Sequence, residues 1–260
     1  MNKLKIKSGP FNALLSNVHL GGIINECLLE IGGGEGSIEA IDITNSLIVV
    51  TKGILTSDKD ISETFGLGNL DLLIKFISTL NQDEIAVNYT ESNMKISRKD
   101  ERRKLSYLLT ENDMIATRVE YDENNPDSTL DVLFSLTEYE ADLSSAIIKD
   151  FLSYMSISKQ KNTMIQYDST NESLQFIIGT NNEHRITLEL GEAVEYLGKK
   201  EPESFSLKVN GEHLAKVFNH ITYDDEDPPL ISLGGDSLAI ITNGGTSWAL
   251  HPIASQGVEE

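Results

Sequence analysis

The sequence predicts an α+β chain of two tandem domains built alike, and three observations carry that prediction. A stretch of the first half is written again in the second. Lys75 answers to Lys216, an offset of 216 − 75 = 141, and Leu73, Phe76, Ile77 and Leu80 answer to Leu214, Val217, Phe218 and Ile221 at the same offset. Each copy alternates two short helical patterns with about eight or nine strand patterns. Between the copies the composition shifts to the polar, acidic ENDMIATRVEYDENNPDS. A supersecondary unit repeated at half the chain length is most simply two copies of one domain. The 260 residues suffice for two domains of about 100–150 residues each. The expected boundaries are a first domain at 1–110, a connecting loop at 111–128, a second domain at 129–254 and a flexible tail at 255–260.

The first copy opens on KLKIKSG, where lysines alternate with apolar residues at the period of a strand. Gly9-Pro10 breaks it, and FNALLSNVHL places Phe11, Leu14, Leu15 and Val18 on one helical face before Gly21-Gly22. CLLEI, SIEAIDI and NSLIVVTKG read as strands. Gly32-Gly33-Gly34 leads into a strand and not a helix, so it reads as a hairpin turn and not as a phosphate loop. Ile61–Phe65 is a strand, and Asn69 caps the helix LDLLIKFISTL, whose apolar stripe leaves Lys75 outside. EIAVNYT, NMKISRK and KLSYLLT complete the copy.

In the connecting loop Met114, Ile115, Val119 and Tyr121 are apolar, which a wholly solvated segment does not need. Either they dock on the protein's own surface or they form half of a binding groove. In the second copy TLDVLFSLTEY reads as a strand and ADLSSAIIKDFLSYM as an amphipathic helix. NTMIQYDS, ESLQFIIGT, HRITLEL and SFSLKVN are strands, then GEHLAKVFNHI is a helix, and PLISL, DSLAIIT and SWALHPI are strands.

Forty-one acids against 21 bases give a net charge of −20. This opposes a polyanionic partner unless acids and bases lie on different surfaces. The one cysteine, Cys27, excludes a disulfide framework and suits a buried position in a reducing compartment. His19, His184, His213, His220 and His251 are scattered without zinc spacing, and Asp224–Asp227 lacks the glycine of a calcium loop. No Walker loop, nucleophile elbow or Cys/His pair appears. The expectation is a non-enzyme with no cofactor and no metal. No run is long and apolar enough for a membrane span, and the opening residues do not read as a signal peptide, so a cytoplasmic location is expected, the host's if the chain is viral.

The ordered set FGLGNLDLLIKFISTLNQDEIAVNYTESNMKI, the loop after LSYLL, and DSLAIITNGGTSWALHPIA resembles the DNA sliding clamp family, of which proliferating cell nuclear antigen and the clamps of tailed phages are members. The resemblance covers nearly the whole chain. It implies two tandem clamp domains with antiparallel sheets outside and four short helices on the inner face of a ring. With two domains per chain the ring is a homotrimer, enclosing double-stranded DNA without reading its sequence. The implied partners are a DNA polymerase and a clamp loader ATPase. Positions implied to face DNA are Lys75, Lys149, Lys159, Lys161, Lys216 and His220. FNALLSNVHL departs from the family in carrying no lysine or arginine.

A partner-peptide pocket is implied at Ile41, Leu47, Val119, Tyr121, Leu250, Pro252 and Ile253. A subunit interface is implied between two edge strands, one with Lys104, Leu105, Tyr107 and Leu109 and the other with Leu174, Phe176 and Ile178. The residues alone leave two other readings open: a phage structural or scaffolding protein of duplicated β domains with no DNA role, and an acidic mimic of DNA.

Overall fold

A computed structural model describes residues 2–98, 102–119, 129–158, 162–179, 185–191 and 193–253. Lys159, Lys161, Tyr121 and the tail at 255–260 lie outside the described residues. The chain divides into two compact units, Met1–Ile43 with Val49–Glu120, and Thr44–Ile48 with Tyr121–Glu260.

In the first unit one motif, strand-helix-strand-strand-strand, occurs twice. The first copy is β1 (Asn2–Lys7), α1 (Ser8–His19), β2 (Cys27–Gly32), β3 (Glu35–Ile41) and β4 (Leu47–Ile54). The second is β5 (Ser62–Leu67), α2 (Leu70–Ser78), β6 (Glu84–Tyr89), β7 (Asn93–Ser97) and β8 (Lys104–Leu108). Each motif lends its first strand to the other's sheet. β1 joins the sheet ordered β1-β6-β7-β8, and β5 lies beside β2 in the order β4-β3-β2-β5. Gly33 and Gly34, at φ 61° and 92°, form the tight turn between β2 and β3 in a region open mainly to glycine. α1 and α2 pack together. Their buried residues are Phe11, Leu14, Leu15 and Val18 from one, and Leu70, Leu73 and Ile77 from the other. α1 starts at Ser8, so Pro10 stands in its first turn, where a missing N–H costs no helical hydrogen bond.

The second unit repeats the plan. A short helix, α3 (Thr129–Phe134), precedes β9 (Tyr139–Asp142), α4 (Ser145–Ile157), β10 (Asn162–Asp168), β11 (Ser173–Ile178), β12 (Ile186–Glu189) and the two-residue β13 (Glu195–Tyr196). Then follow β14 (Phe205–Asn210), α5 (Gly211–His220), β15 (Leu230–Leu233), β16 (Ala239–Asn243) and β17 (Thr246–Leu250). The exchange recurs: β14 joins the order β12-β11-β10-β14, and β9 pairs with β15 in the order β13-β9-β15-β16-β17. Beneath the packed helices α4 and α5, Phe151 meets Phe176 and Phe218 edge-on at 5.4 and 5.0 Å.

Two expectations need correction here. TLDVLFSLTEY is not one strand: its first half is α3 and only Tyr139 onward is a strand. Leu133 is buried against Leu238, Ile240 and Ala249, with Phe134 packed alongside. The second correction concerns Leu174, Phe176 and Ile178. Their strand, β11, is paired on both sides, with β10 and with β12, so it is no edge. The end strands of that sheet are β12 and β14, and the outer side of β12, the neighbour of β11, is where a further strand could add. Among the described residues no helix is long and apolar enough to cross a membrane.

Candidate functional site

Three sets of side chains were singled out from sequence, and all but Lys159, Lys161 and Tyr121 fall among the described residues. The helical set starts from the caps. Asn69 accepts the Leu72 N–H at 3.0 Å, and Asn210, 141 residues on, accepts those of Glu212 and His213 at 3.0 and 3.2 Å. These bonds satisfy donors that a helix start leaves open, and they fix the same first turn on α2 and α5. Both first turns then carry an acid, Asp71 and Glu212, which the positive end of the helix dipole favours.

Lys75 is exposed on α2, and its Nζ lies 2.7 Å from Asp71 Oδ2, one helical turn back. With side chains 73% and 47% exposed, such a pair contributes only about 0.3–0.5 kcal/mol. Lys149 is exposed on α4. Lys216 is half-buried on α5, and His220 Nδ1 lies 2.8 Å from its carbonyl oxygen. With histidines counted as neutral, α1 bears no charged side chain, and α2, α4 and α5 each bear one acid and one lysine. These four helices therefore sum to zero charge in a chain of −20. Lys3, Lys5 and Lys7 stand exposed on β1, with Lys5 3.9 Å from Glu84 of β6.

For the peptide-pocket set, the connecting segment supplies the first clue. A side chain at Gly66 of β5 would collide with the carbonyl of Thr110, so glycine is what lets the chain cross there. Beyond it a 3-10 turn, Asn112–Met114, leads to Thr117, whose hydroxyl donates to the Glu26 carbonyl at 2.6 Å. The Ala116 N–H donates to Glu26 Oε1 at 2.8 Å, and the Ile41 N–H donates to the Thr117 carbonyl at 2.8 Å. Residues 111–119 thus dock along the first unit, with Ile115 buried and Met114 68% exposed.

Ile41 and Val119 are half-buried beside that docked strand. Ile43, which the sequence reading passed over, is 85% exposed at the end of the same alternating run. Its signal was the apolar alternation Ile41–Ile43, which carries on past the end of the strand. In the second unit Leu47 and Leu250 are fully buried, whereas Pro252 is exposed and Ile253 half-buried. The Ile253 N–H donates to the Lys208 carbonyl at 2.9 Å, which ties this segment to β14.

In the interface set, β8 is a sheet edge with Lys104 and Leu108 exposed, the latter by 75%. Leu105 and Leu109 are half-buried. Tyr107 points inward, its hydroxyl accepting the Asn69 N–H at 2.7 Å. Burial pushes the Tyr107 phenol up to about 12. Cys27 is fully buried, which drives its thiol well above the usual range, with Glu26 adding to the effect. A separate open groove of about 830 Å³ in the first unit is lined by Glu63, Phe65, Tyr89, Glu91 and Asp113, and holds none of the expected site residues except Leu109.

The strand exchange between motifs is made twice in each of the two units, and solved structures superpose on the chain as a whole. A β clamp of Helicobacter pylori, solved with 5-chloroisatin, superposes with a TM-score of 0.71 at 12% identity, over 99% of this chain and 65% of that one. Proliferating cellular nuclear antigen from Entamoeba histolytica superposes with a TM-score of 0.68 at 14% identity, over 96% of this chain and 98% of that one. The chain has the DNA sliding clamp fold. A third structure with this fold is the Helicobacter pylori β clamp bound to a DNA ligase peptide, at a TM-score of 0.69, 12% identity and coverages of 98% and 68%. The chain thus spans about two thirds of the length of these β clamps. No protein-family model matches its sequence, and no curated protein does.

Proposed function

We propose that the protein is a sliding clamp. Copies join head to tail into a closed ring around duplex DNA, and the ring tethers a replicative polymerase without itself catalysing a reaction. The observation that carries this reading is the match over 96% of this chain and 98% of the Entamoeba histolytica proliferating cellular nuclear antigen. Two units per chain make three chains the natural count for a six-domain ring, and a heterologous interface closes when its rotation divides the circle. The seam we propose is edge β8 of one copy against edge β12 of the next, since each offers unpaired backbone on its outer side. This replaces β11 as the partner strand.

The neutral helices line the hole in this reading, and lysine suits them because it attracts phosphate as a point charge and reads no base. The acidic remainder of the chain repels DNA from every other surface. Partner proteins dock an apolar peptide on Ile41, Ile43 and Val119 of the first unit. A separate loader ATPase opens the ring.

Light scattering tests the assembly: a trimer has a mass of about 86 kDa, three times 28.7 kDa. The ring should stay on closed circular DNA and leave when the circle is cut. A monomer at all concentrations, or release that ignores linearisation, overturns the reading. Replacing Lys75, Lys149 and Lys216 together by alanine should weaken retention at low salt while leaving the trimer intact.

A further inference from the structure

We propose that Asp71 and Glu212 restrain the ring's grip on DNA. Each offers a carboxylate to the lysine one turn further along its helix, and so competes with phosphate for that lysine. The inference rests on the clamp reading and concerns how tightly the enclosed duplex is held.

The observed pair on α2, Lys75 Nζ to Asp71 Oδ2 at 2.7 Å, is the starting point. The same spacing recurs 141 residues later, with Glu212 four residues before Lys216 behind an asparagine cap at the same offset. Residues four apart on a helix are surface neighbours, and an acid on the N-terminal side of a lysine is the favourable order. Lys149 is built differently. Three and four residues to either side of it stand Ser145, Ala146, Leu152 and Ser153, none of them acidic. The three helical lysines therefore fall into two kinds: two follow an acid by one helical turn, whereas the acid nearest Lys149 in sequence, Asp150, is its immediate neighbour and does not share its face.

A lysine that already holds a carboxylate gains less from phosphate, because one anion replaces another. Release of counterions from DNA is then offset by release of the carboxylate, and the dependence of binding on salt becomes shallow. Few net charges along the hole leave the duplex free to move through a ring that holds it by closure.

The test uses the full chain and a short linear duplex, which a ring can thread unaided, over about 50 to 200 mM salt, the range in which phosphate contacts show. Asp71→Asn and Glu212→Gln preserve size and helix while removing the competing charge. Together they should tighten low-salt binding several-fold and steepen the log–log salt slope by about 0.9 for each lysine freed. In the unaltered background Lys149→Ala should weaken binding more than Lys75→Ala or Lys216→Ala, and the latter two should gain weight once the acids are gone. Unchanged slopes in the double variant, or equal losses from all three lysines in the unaltered background, overturn the proposal. So does a double variant that shifts Tm but not the slope, since the acids would then serve the helices alone. A wild-type protein that binds no duplex at all and stays monomeric would instead sink the clamp reading.

Discussion

The last helices of the two units, α2 and α5, are built alike, whereas the helices that pack against them, α1 and α4, are not. α2 and α5 share an asparagine cap, an acid in the first turn and a lysine four residues after that acid. α1 has Lys7 at its cap position with no side-chain bond and carries no acid, lysine or arginine, while α4 is capped by Ser144 and carries Lys149. The cores differ as well. α1 buries Phe11 among leucines and a valine, whereas Phe151 sits in a ring cluster with Phe176 and Phe218. One topology thus accepts two core chemistries, since a core of roughly correct volume and pattern suffices to specify a fold. What repeats closely is the end and the exposed face of one helix per unit, where the chain meets solvent or a ligand.

The largest expected effect breaks the core comparison. Phe151→Ala should cost about 3–5 kcal/mol in urea unfolding, against about 2–5 for Leu15→Ala. The aromatic site should sit at the top of its range, because each edge-on pair adds about 0.5–1.5 kcal/mol beyond burial. If Leu15→Ala proves the costlier, the aromatic cluster gives no extra stability.

Next come the caps. Asn69→Ala and Asn210→Ala should each cost about 1 kcal/mol, and Lys7→Ala close to nothing, because Lys7 makes no capping bond. Equal losses at all three would show that the repeated caps are not special.

The smallest effect sharpens the first unit alone. Tyr107 has its phenol pushed up to about 12, chiefly by burial, so the folded state favours the neutral form. A folded-state value above the ordinary one means that the contribution is complete below about pH 10 and is lost as pH rises through about 12. Urea midpoints measured from pH 9 to 12 should therefore fall, and Tyr107→Phe should fall less steeply. Parallel curves would remove Tyr107 from the account.

Much of this was legible beforehand, because it depends on neighbours in sequence. The amphipathic stripes of α2 and α5, the Asn69 cap and the glycine turn after β2 are local, and local periodicity and turn chemistry report them. The β11 assignment failed for the opposite reason. Phe176 and Ile178 alternate as any half-buried strand does, and nothing within the strand says whether one neighbour or two will pair with it. α3 was missed because a short apolar run fits either period until Leu133 finds its contacts.

By itself the sequence determined two like units, their four longer helices, and a cation count too low for a strongly basic DNA-binding surface. Only the tertiary structure decided which motif lends a strand to which sheet, that β8 and β12 are edges, and that residues 111–119 lie docked through Glu26, Ile41 and Gly66. Those are facts about partners far apart along the chain. Backbone hydrogen bonds are chemically the same at every residue, so which pairs form is set by packing the whole unit and not by any one stretch of it.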